Sequence, residues 1–272
     1  MASDPYAWIE HADGVYSKRY RSLDLNVGAV VCADGLLVID TRAHHAHARE
    51  LKSDLRRISR LPVQWVINTH HHWDHAFGNG EFATAAIWGH VRCAEVLRDR
   101  GDAMREQVKE QAPEHAAAFD EVTITPPVHT LADEATVTFG GRRFQMTHPG
   151  RAHTDNDLII RVVDSGVVFA GDLIEEGAPP SFGDSFPLEW PASLDATLGQ
   201  MGGPVVPGHG GIVDVAFAEG QRDELAEIAR VARERHAAGM TTDEAASAGG
   251  PYPEVHLAGA FERAWPQIEK EA

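Results

Sequence analysis

Residues 70–75 read His-His-His-Trp-Asp-His, so four metal-ligating side chains, His70, His72, Asp74 and His75, fall within six positions. An extended backbone sends side chains two apart the same way, which places His70 and His72 on one ion and turns His71 away to pack or face solvent. Asp74 and His75 follow in the turn and offer a carboxylate oxygen and a second imidazole. Imidazole and carboxylate donors suit Zn²⁺, Fe²⁺ or Mn²⁺, and the lack of nearby thiolates argues for an open, catalytic site over a closed structural zinc site.

Such a group works only if the elements around it hold it still. The run VQWVINT (63–69) reads as a strand ending at the histidines, preceded by strands at 15–20, 27–33 and 36–40 and by a helix from a Thr41 cap to about Ile58. A helix covers about 90–111 with Leu97, Met104 and Val108 on one face, and residues 135–148 form two strands joined at Gly140-Gly141. Strands at 157–164 and 167–172 meet at Ser165-Gly166. A Gly- and Pro-rich loop, 175–190, follows as a functional wall or lid. Beyond it come a helix near 192–199, a strand and turn at 204–211, a charged amphipathic helix at about 214–238, and a helical tail, 241–272, broken at GGPYP. Alternating strands and helices suggest an α/β chain with helices covering sheet.

The pattern His-x-His-x-Asp-His resembles the signature of the metallo-β-lactamase-fold hydrolase superfamily, and three later stretches match it in order. These are Gly150-Arg151-Ala152-His153-Thr154, the strand VVFAGD ending in Asp172, and PVVPGHGG carrying His209. The resemblance covers about residues 15–211. It implies a four-layer αββα sandwich of two mixed β-sheets flanked by helices, formed by one domain over 1–272 with 212–272 as a mostly helical C-terminal part. It also implies two divalent metal ions, zinc first, with iron or manganese as the alternatives. The first would take His70, His72 and His153 and the second Asp74, His75 and His209, with Asp172 bridging. A metal-bridging hydroxide would attack an acyl carbonyl while Asp74 assists the leaving group. Asp40, at the end of an early strand, would support the site from behind. Thr154 and Asp157 would orient His153 or close its turn, and His90 would either support the pocket or simply pack.

Asp at 172, where the best-known lactamases carry cysteine, points toward the thioesterase and lactonase branches. The alternatives are a mononuclear-iron persulfide dioxygenase-like enzyme, a phosphodiesterase or a weak β-lactamase. A formal charge of −17 opposes nucleic acid and anionic membranes as partners and leaves a small-molecule substrate. The opening stretch MASDPYAWIEHADG lacks a basic, apolar leader, so a cytoplasmic location is expected. Cys32 and Cys93 read as buried thiols, and His44, His45 and His47 as a helix face. Trp73, Phe77, Phe182, Phe186 and Trp190 are candidates for an apolar pocket wall or for the core.

Overall fold

The structure, a computed structural model, describes residues 6–271; the first five residues of the opening stretch and Ala272 lie outside it. Its strands are β1 (Ile9–Ala12), β2 (Val15–Tyr20), β3 (Leu25–Val31), β4 (Leu36–Ile39), β5 (Val63–Ile67), β6 (Ala86–His90), β7 (His129–Leu131), β8 (Glu134–Phe139), β9 (Arg142–Thr147), β10 (Ile159–Val162), β11 (Val168–Glu175) and β12 (Val205–His209). The helices are α1 (His45–Leu55), α2 (Trp73–Ala76), α3 (Val91–Gln111), α4 (Ala116–Asp120), α5 (Trp190–Leu198), α6 (Val215–Ala237), α7 (Thr242–Ser247) and α8 (Glu254–Glu271).

Two mixed sheets result. In the first, β1 to β7 lie side by side, antiparallel as far as β4 and parallel from β4 to β7. The second runs β12-β11-β10-β9-β8, with only β11 and β12 parallel. A single residue pair, Leu25 with His209, joins β3 to β12 and links the two sheets. Alternation along the strands then divides the side chains. Val30, Ile39 and Ile67 meet Phe144, Ile160 and Phe169 between the sheets, whereas Leu25, Val27 and Ala29 turn outward onto Leu51 and Leu55 of α1. On the far side Val168, Ala170 and Val205 pack on Trp190 of α5, Leu225 of α6 and Phe261 of α8. Helix, sheet, sheet and helix make the four expected layers. Full burial of each large side chain contributes about 1.5–3 kcal/mol.

Several element boundaries move. The first helix starts at His45, because the side chain of His44 accepts from His47 N, while Thr41 donates instead to the carbonyl of His75 at 3.1 Å. Asp40 and Arg42 have φ of 64° and 72°, so the chain at Thr41 is turning, not entering a helix. The strand read at 27–33 spans Leu25–Val31, the one at 157–164 shortens to Ile159–Val162, and the one at 167–172 extends to Glu175. The helix placed near 192–199 is Trp190–Leu198. The Gly140-Gly141 hairpin and both C-terminal helices form as expected, and the two cysteines are free and buried. Among the described residues no helix is long and apolar enough to cross a membrane.

Candidate metal centre

The site lies where carboxyl ends of strands from both sheets converge, the crevice in which open α/β sheets place ligands. Past the end of β5, His70 and the N-cap His72 lead into α2, whose first turn presents Asp74 and His75. His153 sits in a turn tied to this motif, because Leu158 N donates to the carbonyl of Thr69 at 2.7 Å. Asp172 is carried by an irregular part of β11, where the register shifts beside Gly171 (φ 52°), and such bulges re-aim side chains. His209 ends β12 at the junction of the sheets.

All seven residues predicted from sequence meet here. Ligand atoms of His70, His72, His153 and Asp172 lie within 4.8 Å of one another, as do those of Asp74, His75 and His209. Asp172 touches both groups: Oδ1 is 3.1 Å from His75 Nε2, and Oδ2 is 3.3, 3.5 and 3.7 Å from Nε2 of His209, His153 and His70. Asp74 Oδ2 is 3.4 Å from His209 Nε2. Four donors around a tetrahedral ion with bonds of about 2.0–2.1 Å stand about 3.3 Å apart, the same scale.

Hydrogen bonding shows which ring atoms are left for an ion. Carbonyls and carboxylates only accept, so His209 donates from Nδ1 to the carbonyl of Leu23 (2.7 Å) and His75 from Nδ1 to Asp40 Oδ2 (2.8 Å). The neutral rings then point bare Nε2 atoms at each other across 3.3 Å, a contact that needs a cation or a proton between them. Thr69 Oγ1 donates to Asp40 Oδ2 and so accepts from His70 Nδ1 at 3.0 Å. His70 Nε2 and Asp172 Oδ1, both facing the cluster, are buried with no hydrogen-bond partner. Orphaned buried acceptors at one point are what bound divalent cations would satisfy.

The charges agree. Burial opposes protonation of His209, yet Asp172 and Asp74 outweigh it and push its pKa up to about 12. Burial likewise raises the Asp74 carboxyl, but His75 and His209 pull it down to about 2. At Asp172 the same neighbours and His70 overcome burial and hold the carboxyl well below its ordinary range. For His70, burial and the His75 charge keep the ring neutral, with its pKa well below the usual value. This is a concentrated negative potential that draws protons onto His75 and His209 and would draw metal cations in their place.

The supporting residues divide. Asp40 backs the site as expected, accepting from Thr69 N (2.8 Å), Thr69 Oγ1 and His75; its left-handed backbone costs about 1–3 kcal/mol of strain. Thr154 donates twice to Asp157, from N at 2.8 Å and Oγ1 at 2.7 Å, which closes the His153 turn from behind. His90 caps α3 by accepting from Arg92 N, so its role is packing and capping. His71 does not point away. It is buried, accepts from Asn156 at 2.8 Å and faces Asp184, because residues 69–71 bend and do not stay extended. Asp184 and the Leu23 carbonyl escaped the sequence reading, since neither carries a local pattern.

A pocket of about 740 Å³ opens over the cluster. One wall is a stripe of α3, Arg100, Met104, Gln107, Val108 and Gln111; opposite stand Glu176, Ala178, Ser181 and Asp184. Of the five aromatic candidates only Trp73 lines it. Phe77, Phe182 and Trp190 are core, and Phe186 lies beneath Arg151.

Gly208 gives a test of the packing behind Asp172. A Cβ there would sit 1.8 Å from Asp172 Oδ1 and 2.8 Å from the Gly171 carbonyl carbon, and the backbone contact cannot be relieved by a rotamer change. Gly208→Ala is expected to move Asp172 and lower kcat/KM about 100-fold, the scale of a 1 Å misplacement. Steady-state kinetics with metal analysis would reveal it; full activity at full metal content would refute it.

Residues 25–230 match the profile of the Metallo-beta-lactamase superfamily. The chain is 23% identical over 187 residues to a metallo-beta-lactamase type 2 of Bacillus cereus, covering 66% of this chain and 64% of that protein. It is 25% identical over 240 residues to a linear primary-alkylsulfatase of Pseudomonas sp. (strain ATCC 19151), covering 74% of this chain and 43% of that one. The solved sec-alkylsulfatase Pisa1 from Pseudomonas sp. superposes with a TM-score of 0.77 at 16% identity, over 96% of this chain and 50% of that one. The chain thus spans about two fifths to two thirds of the length of these relatives. With the family profile matched over most of its length and the His-x-His-x-Asp-His cluster assembled, the chain belongs to the Metallo-beta-lactamase superfamily.

Proposed function

We propose that this cluster is a binuclear metal centre and that the protein is a hydrolase cleaving an acyl bond, an ester, thioester, lactone or amide, in a small molecule. The observation that carries the reading is Asp172, whose two oxygens contact donors of both groups. His70, His72 and His153 would hold one ion and Asp74, His75 and His209 the other, with Asp172 between them. Two divalent ions bound there, zinc first and iron or manganese on the same donor types, lower the pKa of a shared water and polarise the substrate oxygen.

The chain's own residues supply the rest. Asp74 lines the pocket and stays ionised at neutral pH, so its Oδ1, the oxygen not paired with His209, would take a proton from the attacking water and pass it to the leaving group. The α3 stripe positions the substrate, with Met104 and Val108 contacting apolar parts and the glutamines offering amides. Arg100 is the single Lys or Arg lining this pocket and has no carboxylate partner among the described residues. Asp24, Glu176 and Asp184 make the remaining rim acidic, which opposes polyanionic substrates and admits one anionic group at Arg100.

Sulfate-ester hydrolysis is the second reading. It is favoured by the 25% identity to an alkylsulfatase over 240 residues and by the same arginine. Metal analysis of protein purified without added zinc, then a panel of lactone, thioester, β-lactam, phosphodiester and alkyl sulfate substrates, tests both. Two equivalents of metal and turnover of one acyl class above the rest is the expected outcome. One redox-active iron with oxygen uptake on persulfides would overturn it.

A further inference from the structure

Asp184 is a carboxylate at the edge of the cluster that the proposed mechanism leaves unused. Its Oδ1 is 2.9 Å from His72 Nε2 and its Oδ2 is 3.3 Å from His71 Nε2. A carboxylate accepts, so His72 carries its proton on Nε2 and turns a bare Nδ1 toward His153 Nε2, 2.9 Å away, and the first donor group. An outer carboxylate of this kind fixes a ligand's tautomer and orientation and raises its basicity.

Asp184 belongs to the segment between β11 and α5, and the C-terminal helix holds that segment. Arg263 of α8 donates from Nη2 to the carbonyl of Asp184 and from Nε to that of Ser185, both at 3.1 Å. Gln267, one turn on, donates to Ser185 O at 3.4 Å. Phe182 beside them is buried with Phe261 and Leu257 of α8. Helix α8 begins at Glu254, beyond residue 230 where the family match ends. A short path therefore runs from this helix through Arg263, the backbone at 184–185 and the Asp184 carboxylate to His72.

We propose that Asp184 is a positioning residue for the metal site of His70, His72 and His153, and that Arg263 makes the C-terminal helix part of that site's support. The proposal rests on reading the cluster as a metal centre. It assigns His71 a role as well: with Nδ1 taken by Asn156, its Nε2–H is the second donor that fixes the carboxylate's plane. A separate cation on His71, His72 and Asp184 is disfavoured, because it would strip the Nε2 proton and leave His72 an imidazolate between two ions.

Metal-stripped wild type, Asp184→Ala, Asp184→Asn and Arg263→Met would each be titrated with Zn²⁺ against a chromophoric chelator, with melting of the stripped proteins alongside. Wild type should bind two equivalents. Asp184→Ala should weaken one of them about 10–100-fold and spare the other, the usual scale for a lost outer-shell partner. Asp184→Asn, which keeps an accepting oxygen, should fall between, and Arg263→Met should weaken the same equivalent. Melting of the stripped Asp184 variants should match stripped wild type. Unchanged affinities, or a parallel fall at both sites with lower melting temperature, would overturn the proposal, as would a third equivalent lost on removing Asp184. Wild type binding no Zn²⁺ would instead overturn the metal-centre reading itself.

Discussion

Asp172→Ala is expected to lower kcat/KM by about 10³-fold or more, at or beyond the scale of losing a principal electrostatic stabiliser, and to leave fewer than two metal equivalents bound. The reason is position as much as charge. Asp172 is buried, and its oxygens lie 3.1–3.7 Å from four of the five imidazoles in the cluster. Removing it leaves both donor groups one ligand short and separates them, with Asp74 as the remaining carboxylate among the seven. Asp172→Asn keeps the volume and removes the charge, so it should fall nearly as far; a large gap between the two variants would indicate packing instead. Kinetics on the best substrate of the panel, paired with metal content, gives the answer. An alanine variant holding two ions and within about tenfold of wild type would refute the bridging role.

How far the sequence reached follows from what kind of contact each residue makes. His70, His72, Asp74 and His75 were legible because their chemistry and spacing sit in one short segment. His153, Asp172 and His209 were legible because three later stretches, Gly150–Thr154, VVFAGD and PVVPGHGG, match the family resemblance in order. His71 packs rather than joining the seven, as read, but its direction differs, since the alternation rule assumes an extended backbone and residues 69–71 bend. Asp184 was invisible: it meets His72 across 112 positions, from a loop that reads as a wall or lid without marking which of its residues makes a contact. The carbonyl of Leu23 that orients His209 carries no side-chain signature at all, and it depends on a turn with φ of 64° and 55° at Leu23 and Asp24. The helix start failed for a related reason. Thr41 has the right residue type for a cap, but Asp40 must turn back to reach Thr69 and His75, and that turn commits Thr41 to His75 and Asn79.

Removing metal with a chelator at neutral pH should abolish turnover and lower the melting temperature by about 15–30 °C. A ligand at about 1,000 times its Kd contributes about 4 kcal/mol per site, and a chain of this size shifts about 2–4 °C per kcal/mol. The stripped protein should nevertheless remain folded, because protons can take the place of the ions. Burial resists a charge on His209, but Asp172 and Asp74 drive its pKa up to about 12, far above the 6.5 of an ordinary histidine. A pKa raised in the folded state stabilises the stripped form fully below 6.5, and that stabilisation is lost only as pH rises through the folded value. It therefore operates across the neutral range. A metal ion must displace those protons to bind, so the gap between loaded and stripped melting temperatures should widen from pH 6 to pH 8. Calorimetry on both forms at three pH values measures it. A gap that narrows with rising pH, or no gap at any pH, would mean that these rings do not exchange protons for metal.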